Sequence, residues 1–168
     1  MNAIFSRRSV RSFKDQPIEN DKIDLLLRAA MQAPSACNSQ PWEFIVITNK
    51  QTLSSIASIH PHAGMCTSAD LAILVLATPG RQDGISAGFY PVDCAAAMQN
   101  ILLEAAHLDL GACCCGIYPK ENLMHEFKEF FGVPAGIIPF CLIAVGYPEK
   151  TPNPEDRFDA SRIHIGKY

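Results

Sequence analysis

The chain has 168 residues, is 48% hydrophobic and 18% charged, and carries a net charge of −3. That is ample apolar material for one core and too little charge for a disordered chain, so one domain over 1–168 is expected. The balance excludes a broadly basic nucleic-acid surface, and no apolar run reaches membrane-spanning length, Leu71 to Ala77 being among the longest.

Residues 2–8 read as a short helix leading into Arg7-Arg8-Ser9-Val10-Arg11. Three arginines so close together, with a hydroxyl between them, suit a phosphate. The chain has neither G-x-G-x-x-G nor G-x-x-x-x-G-K-[ST], so a phosphorylated ligand would have to be held by these side chains. The first fifteen residues lack the apolar stretch of a secretory signal, and Asp15, Glu19 and Asp21 argue against a transit peptide. Arg11 to Lys14 looks extended. Ile23, Leu26, Leu27, Ala30 and Met31 then fall at i, i+3, i+4, i+7 and i+8, which predicts an amphipathic helix. Asn20 is its predicted N-cap and Pro34 its stop. Residues 34–42 form a polar loop between two prolines, ending on the only tryptophan.

Glu43 to Thr48 reads as a strand, and Asn49 caps a helix running to about Ile59. His60-Pro61-His62 and Cys66 lack zinc spacing and read as loop polarity. The continuous run Leu71 to Ala77 predicts a strand buried on both faces. A loop over 78–90 precedes Pro91, and a helix then runs to Leu108, apolar nearly all round. Such a helix belongs in a core or at a subunit interface. Asp93 and Glu104 lie on it and read as buried polar contacts or caps. Gly111 ends this helix. Ala112 to Ile117 looks extended, Lys120 to Phe131 helical, and Ile138 to Val145 is a buried strand. Residues 147–168 carry Phe158, Ile163, Ile165 and Tyr168 and read as an arm that packs on another surface, a partner subunit being one candidate. The mixed order of helices and strands gives an α+β class.

The cysteines number seven, none in C-x-x-C spacing, and Cys113-Cys114-Cys115 suits neither a tetrahedral chelate nor a disulfide. No metal site is expected. The three read as small buried residues in a reduced, cytoplasmic protein. No nucleophile elbow, H-E-x-x-H or acid/base carboxylate pair is present, and Glu126 and Glu129 sit on a solvated helix face. With no side-chain catalyst evident, an enzyme here would need a cofactor for the hard step. Ser35, Asn38 and Gln40 beside Trp42 offer donors and acceptors for a heterocycle, and 111–116 lets backbone approach a flat ligand.

Arg-Arg-Ser-Val-Arg, the Pro-Ser-Ala-Cys-Asn-Ser-Gln-Pro-Trp loop, the long helix with its Leu-Gly turn and the Ser161 to Tyr168 arm resemble, in order and spacing, the nitroreductase family of FMN-dependent oxidoreductases. The resemblance covers essentially the whole chain. It implies a central mixed or antiparallel sheet flanked by helices, in an intertwined homodimer with FMN at the subunit interface. It also implies hydride transfer from NADH or NADPH onto flavin N5 and on to a small-molecule acceptor such as a nitroaromatic or quinone. On this chain Arg7, Arg8, Ser9 and Arg11 match the N-terminal FMN clamp, with Arg11 at the pyrimidine edge. Ser35, Asn38 and Gln40 match flavin contacts from the other subunit. Cys114, Cys115 and Gly116 match the segment whose N–H groups approach N5 and O4, and Arg157 matches a cation near the phosphate. Two departures stand out: Glu155 occupies a position that is cationic in some members, and cysteines replace bulky residues at 113–115. The flavin would carry the chemistry, with no side chain acting as acid or base. A flavin-storing or redox-sensing module, and a reductive dehalogenase or flavin-consuming enzyme of the same fold, are the alternatives. No nucleic-acid or membrane partner is expected.

Overall fold

The computed structural model describes residues 2–168. Its helices are α1 (Ala3–Ser6), α2 (Asn20–Met31), α3 (Lys50–Ile59), α4 (Tyr90–His107) and α5 (Glu121–Phe131). Its strands are β1 (Trp42–Ile47), β2 (Leu71–Ala77), β3 (Gly111–Gly116) and β4 (Ile138–Gly146). The strands form one antiparallel sheet in the order β1-β2-β4-β3, so β3 is an edge.

Side chains alternate across this sheet and build a core on each face. Leu71, Ile73, Val75, Ile143 and Val145 meet Leu26 and Ala30 of α2 and Ala97, Ile101 and Ala105 of α4. Ala72, Leu74, Leu76, Leu142 and Ala144 meet Leu53 and Ile56 of α3 and Phe127 of α5. Every residue of β2 is buried, as its continuous apolar run predicts for a strand covered on both sides.

Two details differ from the sequence reading. Asn20 is the first helical residue of α2 rather than its cap; Glu19 holds the cap position with no side-chain cap bond. The Glu19 carboxylate instead accepts from the Tyr147 hydroxyl at 2.6 Å, a contact invisible to local spacing. The 78–90 loop carries two short 3₁₀ turns, Pro79–Arg81 and Gly84–Ser86, the second closed by a reciprocal capping box between Asp83 and Ser86.

The N-terminal segment after α1 lies along the free side of β3. Ser9 bridges Ala112 in parallel, and the Val10 N–H donates to Ala112 O at 3.0 Å. Farther on, Phe13 bridges Pro148, and the Lys14 N–H donates to Tyr147 O at 2.8 Å. Two glycines make room for this docking. A Cβ on Gly111 would sit 2.7 Å from Val10, and one on Gly146 would sit 2.9 Å from Phe13. The sequence suggests Gly111 as a helix stop and as part of a ligand cradle; at Gly111 itself the close neighbour is the Val10 side chain.

Candidate active site

Docking of residues 9–13 on β3 sets Arg11 beside the last three residues of that strand. Arg11, Cys114, Cys115, Gly116, His60 and His62 line a cavity of about 610 Å³. Among the described residues no carboxylate pairs with Arg7 or Arg11. The Ile117 N–H bonds to Phe140 O across the ladder, while Gly116 stands opposite Cys141. Antiparallel alternation therefore turns the N–H and C=O groups of Gly116 and Cys114 away from β4, off the sheet edge. The space where a Gly116 Cβ would lie is open, with nothing within 4 Å.

Arg7, Arg8 and Arg157 share a second groove of about 670 Å³ with Phe5, Glu155 and Phe158. Arg8 is fully engaged there: it donates to Asn153 O and Glu155 O at 3.1 Å, to Arg7 O at 2.7 Å and to Phe5 O at 3.4 Å. It anchors the C-terminal arm to the N-terminal helix. Arg157 pairs with Glu155 at 3.3 Å, and both side chains are exposed. Beyond Glu149 the arm is exposed throughout, including Phe158, Ile163, Ile165 and Tyr168.

The 34–42 loop lies elsewhere in the subunit. Ser35 Oγ accepts from the Gln40 N–H at 2.9 Å, and Asn38 Oδ1 from Gln40 Nε2 at 3.1 Å. Cys37, Asn38 and Gln40 have φ of 51°, 54° and 46°. Left-handed backbone costs a non-glycine residue about 1–2 kcal/mol, so this loop is strained and needs outside support. Asp93, buried in the first turn of α4, supplies it. Both carboxylate oxygens accept from the Ala36 N–H at 3.2 Å, and Oδ2 accepts from Gln82 Nε2 at 2.8 Å. The same Gln82 amide reaches Ser39 Oγ at 3.1 Å. One subunit thus brings Arg11 to the 114–116 edge and Arg7 to Arg157, but leaves Ser35, Asn38 and Gln40 apart from both groups.

A sequence model described as the Nitroreductase family matches residues 4–75 and 60–147. The chain belongs to the nitroreductase family. A relative from Methanothermobacter thermautotrophicus, provisionally named NADH dehydrogenase/NAD(P)H nitroreductase, is 40% identical over 168 residues, covering all of this chain and 87% of the relative. The solved structure of a provisionally named NADH oxidase from Clostridium acetobutylicum is 48% identical, with a TM-score of 0.94 and 99% of each chain covered. An FMN-dependent nitroreductase from Clostridium difficile R20291 is 26% identical, with a TM-score of 0.91 and 99% of each chain covered. The α+β fold and the oxidoreductase class read from the sequence stand with these matches. No helix among the described residues is long and apolar enough to cross a membrane.

In this nitroreductase-family chain the thiols divide by strand alternation. Cys113 and Cys115 face the α3/α5 core with Cys66; Cys114 faces the α4 core with Cys94 and Cys141. Burial pushes the Cys66 and Cys94 thiols up to about 12. Cys113 is held well below the ordinary thiol range, first by the neighbouring Cys115 side chain, with the Arg11 charge and Ser9 also assisting against burial. Cys115, whose thiol donates to His62 O at 3.3 Å, moves up. No metal-binding group of three or more His, Cys, Asp or Glu occurs among the described residues.

Two participants escape the sequence reading. His60 is not loop polarity but a buried ring, only 2% exposed, contacting Gly116. Its signal is weak, since its partner lies 56 positions away. Gln82 gives no signal at all. Asp93 does: a carboxylate among the core residues of an apolar helix needs a buried donor, and the Ala36 N–H is that donor.

Proposed function

We propose that the chain is an FMN-dependent oxidoreductase that takes electrons from NAD(P)H and delivers them to a nitroaromatic, quinone or similar small acceptor, working as a homodimer. The observation that carries this reading is the juxtaposition of Arg11, free of any carboxylate among the described residues, with an open, outward-facing backbone edge at Cys114 and Gly116. A flat, anionic, hydrogen-bonding heterocycle fits that edge, and the groove with Arg7 and Arg157 suits its phosphate.

When bound, the flavin supplies hydride acceptance and donation at N5, alternately with donor and acceptor in a ping-pong cycle. The protein's part is binding, orientation and electrostatics. The Arg11 guanidinium stabilises negative charge at the pyrimidine edge of the ring. The off-ladder N–H groups of Cys114 and Gly116 orient the ring by hydrogen bonds, with Cys115 pairing their strand to β4 and the Ser9 bridge to Ala112 fixing the segment that carries Arg11. Arg7 and Arg157 hold the phosphate, and Arg8 keeps the arm that bears Arg157 in place. Ser35, Asn38 and Gln40 reach the cofactor of the partner subunit, which accounts for their separation from Arg11 within one chain. The half-exposed face of α4, with Val92 65% exposed, and the apolar side chains of the arm form the dimer contact.

Anaerobic addition of NADH or NADPH should bleach the visible flavin band of purified protein, and a quinone should restore it. Bleaching absent over minutes would favour the storage or sensing module instead. Protein that is colourless and gains no melting temperature with added FMN would overturn the flavin reading altogether.

A further inference from the structure

We propose that His60 is a positioning residue: through one fixed tautomer it holds the Gly116 end of β3 in the conformation that the cofactor meets. This deepens the flavin reading and rests on it. His60 follows the last turn of α3 in extended conformation and is buried, its ring edge-to-face with Phe127 at 6.2 Å. Both ring nitrogens are engaged. The His62 N–H donates to His60 Nδ1 at 3.1 Å, and His60 Nε2 lies 3.0 Å from Gly116 O.

These two partners decide where the ring proton sits. A backbone N–H can only donate, so Nδ1 must be the acceptor; a carbonyl can only accept, so Nε2 must carry the hydrogen. The neutral Nε2–H tautomer alone satisfies both. Gly116 needs such a hold because it has no side chain and nothing packs where its Cβ would be. Its carbonyl faces off the ladder and receives no bond from β4. Without His60 the Gly116–Ile117 peptide keeps only the Ile117 N–H bond to Phe140 O, and the φ and ψ of Gly116, which set where its own N–H points, lose one of their restraints.

Glutamine and asparagine separate this role from simple packing. The amide nitrogen of Gln reaches the place of Nε2, whereas that of Asn reaches only the place of Nδ1. Long-range proton–nitrogen correlation spectra of the ring should show the Nε2–H tautomer; a ring carrying its proton on Nδ1 overturns the proposal. In the FMN-loaded protein, His60→Asn should weaken FMN binding about tenfold, the loss of roughly one hydrogen bond to a buried carbonyl. It should also shift the flavin midpoint potential and visible band shape. His60→Gln should return all three close to the wild-type values. Amide exchange at Gly116 and Ile117 should speed up in His60→Asn but not in His60→Gln, with Ala144 in β4 unchanged in both. Equal affinity, potential and exchange in all three proteins overturns the proposal. Failure of the wild-type protein to bind FMN, with the tautomer and exchange results as expected, overturns the flavin reading and removes only the cofactor-facing part of His60's role.

Discussion

The two halves of the candidate site are held in opposite ways. The β3 edge is built by regular pairing: a ladder to β4 on one side, the docked 9–13 segment on the other, and glycines at 111 and 146 that admit Val10 and Phe13. The 34–42 loop has no ladder. It stacks three left-handed non-glycine residues within four positions and leans on one buried carboxylate, Asp93. An edge made by a sheet tolerates side-chain change but not added bulk in its backbone contacts. A loop made by strain tolerates bulk but not the loss of its buried carboxylate, the acceptor on which Ala36 and Gln82 both depend.

That contrast can be broken from either side. The largest effect is expected at the edge: Gly111→Ala places a Cβ 2.7 Å from Val10 and should cost about 3 kcal/mol of stability, read by denaturant unfolding, with loss of bound FMN as the arginine segment lifts. In the loop, Asp93→Ala leaves the Ala36 N–H and the Gln82 amide without their acceptor and should cost about 2 kcal/mol. Here the β3 amides should keep their exchange protection, and Asp93→Asn should recover part of the loss. Equal damage to β3 would show that the two halves are one mechanical unit.

The arginines sharpen the comparison at the level of binding. Arg7→Ala and Arg11→Ala should each weaken FMN about tenfold or more, since a charge-assisted hydrogen bond is worth about 1.5–3 kcal/mol. Only Arg11→Ala should also slow reduction of the flavin that remains, measured by stopped flow. The smallest effect concerns Cys113. Its folded value lies below that of a free thiol, so its thiolate adds stability fully present above the ordinary thiol range near 9 and lost as the pH falls through the lowered folded value. Thiolate absorbance near 240 nm should therefore titrate early in the native protein. Arg11→Gln should move that step to higher pH, and Cys113→Ser should remove it.

Much of the fold is legible in the sequence because its signals are local. The spacing of Ile23, Leu26, Leu27, Ala30 and Met31, the cap at Asn49 and the unbroken run at 71–77 each fix an element within a few residues of its observed bounds. The arginine cluster and the polar loop were legible as chemistry for the same reason. Long-range contacts were not. The lateral docking of residues 9–13 on β3, the use of Arg8 as an anchor for the arm, and the burial of His60 against Gly116 all depend on partners far along the chain. No periodicity encodes such pairs.

The alternation of the Cys113-Cys114-Cys115 run has a last consequence, for oxidation. The sheet stands as an insulating partition between two stores of thiol. An oxidant entering by the Arg11 cavity meets Cys113, Cys114 and Cys115 at its wall, with Cys66 behind Cys113 and Cys115 in one core and Cys94 and Cys141 beside Cys114 in the other. Thiol–disulfide exchange requires sulfur-to-sulfur attack, and a thiolate on one side has no line of approach to a sulfur on the other. Disulfide exchange between Cys66 in one core and Cys94 or Cys141 in the other thus requires the sheet itself to open.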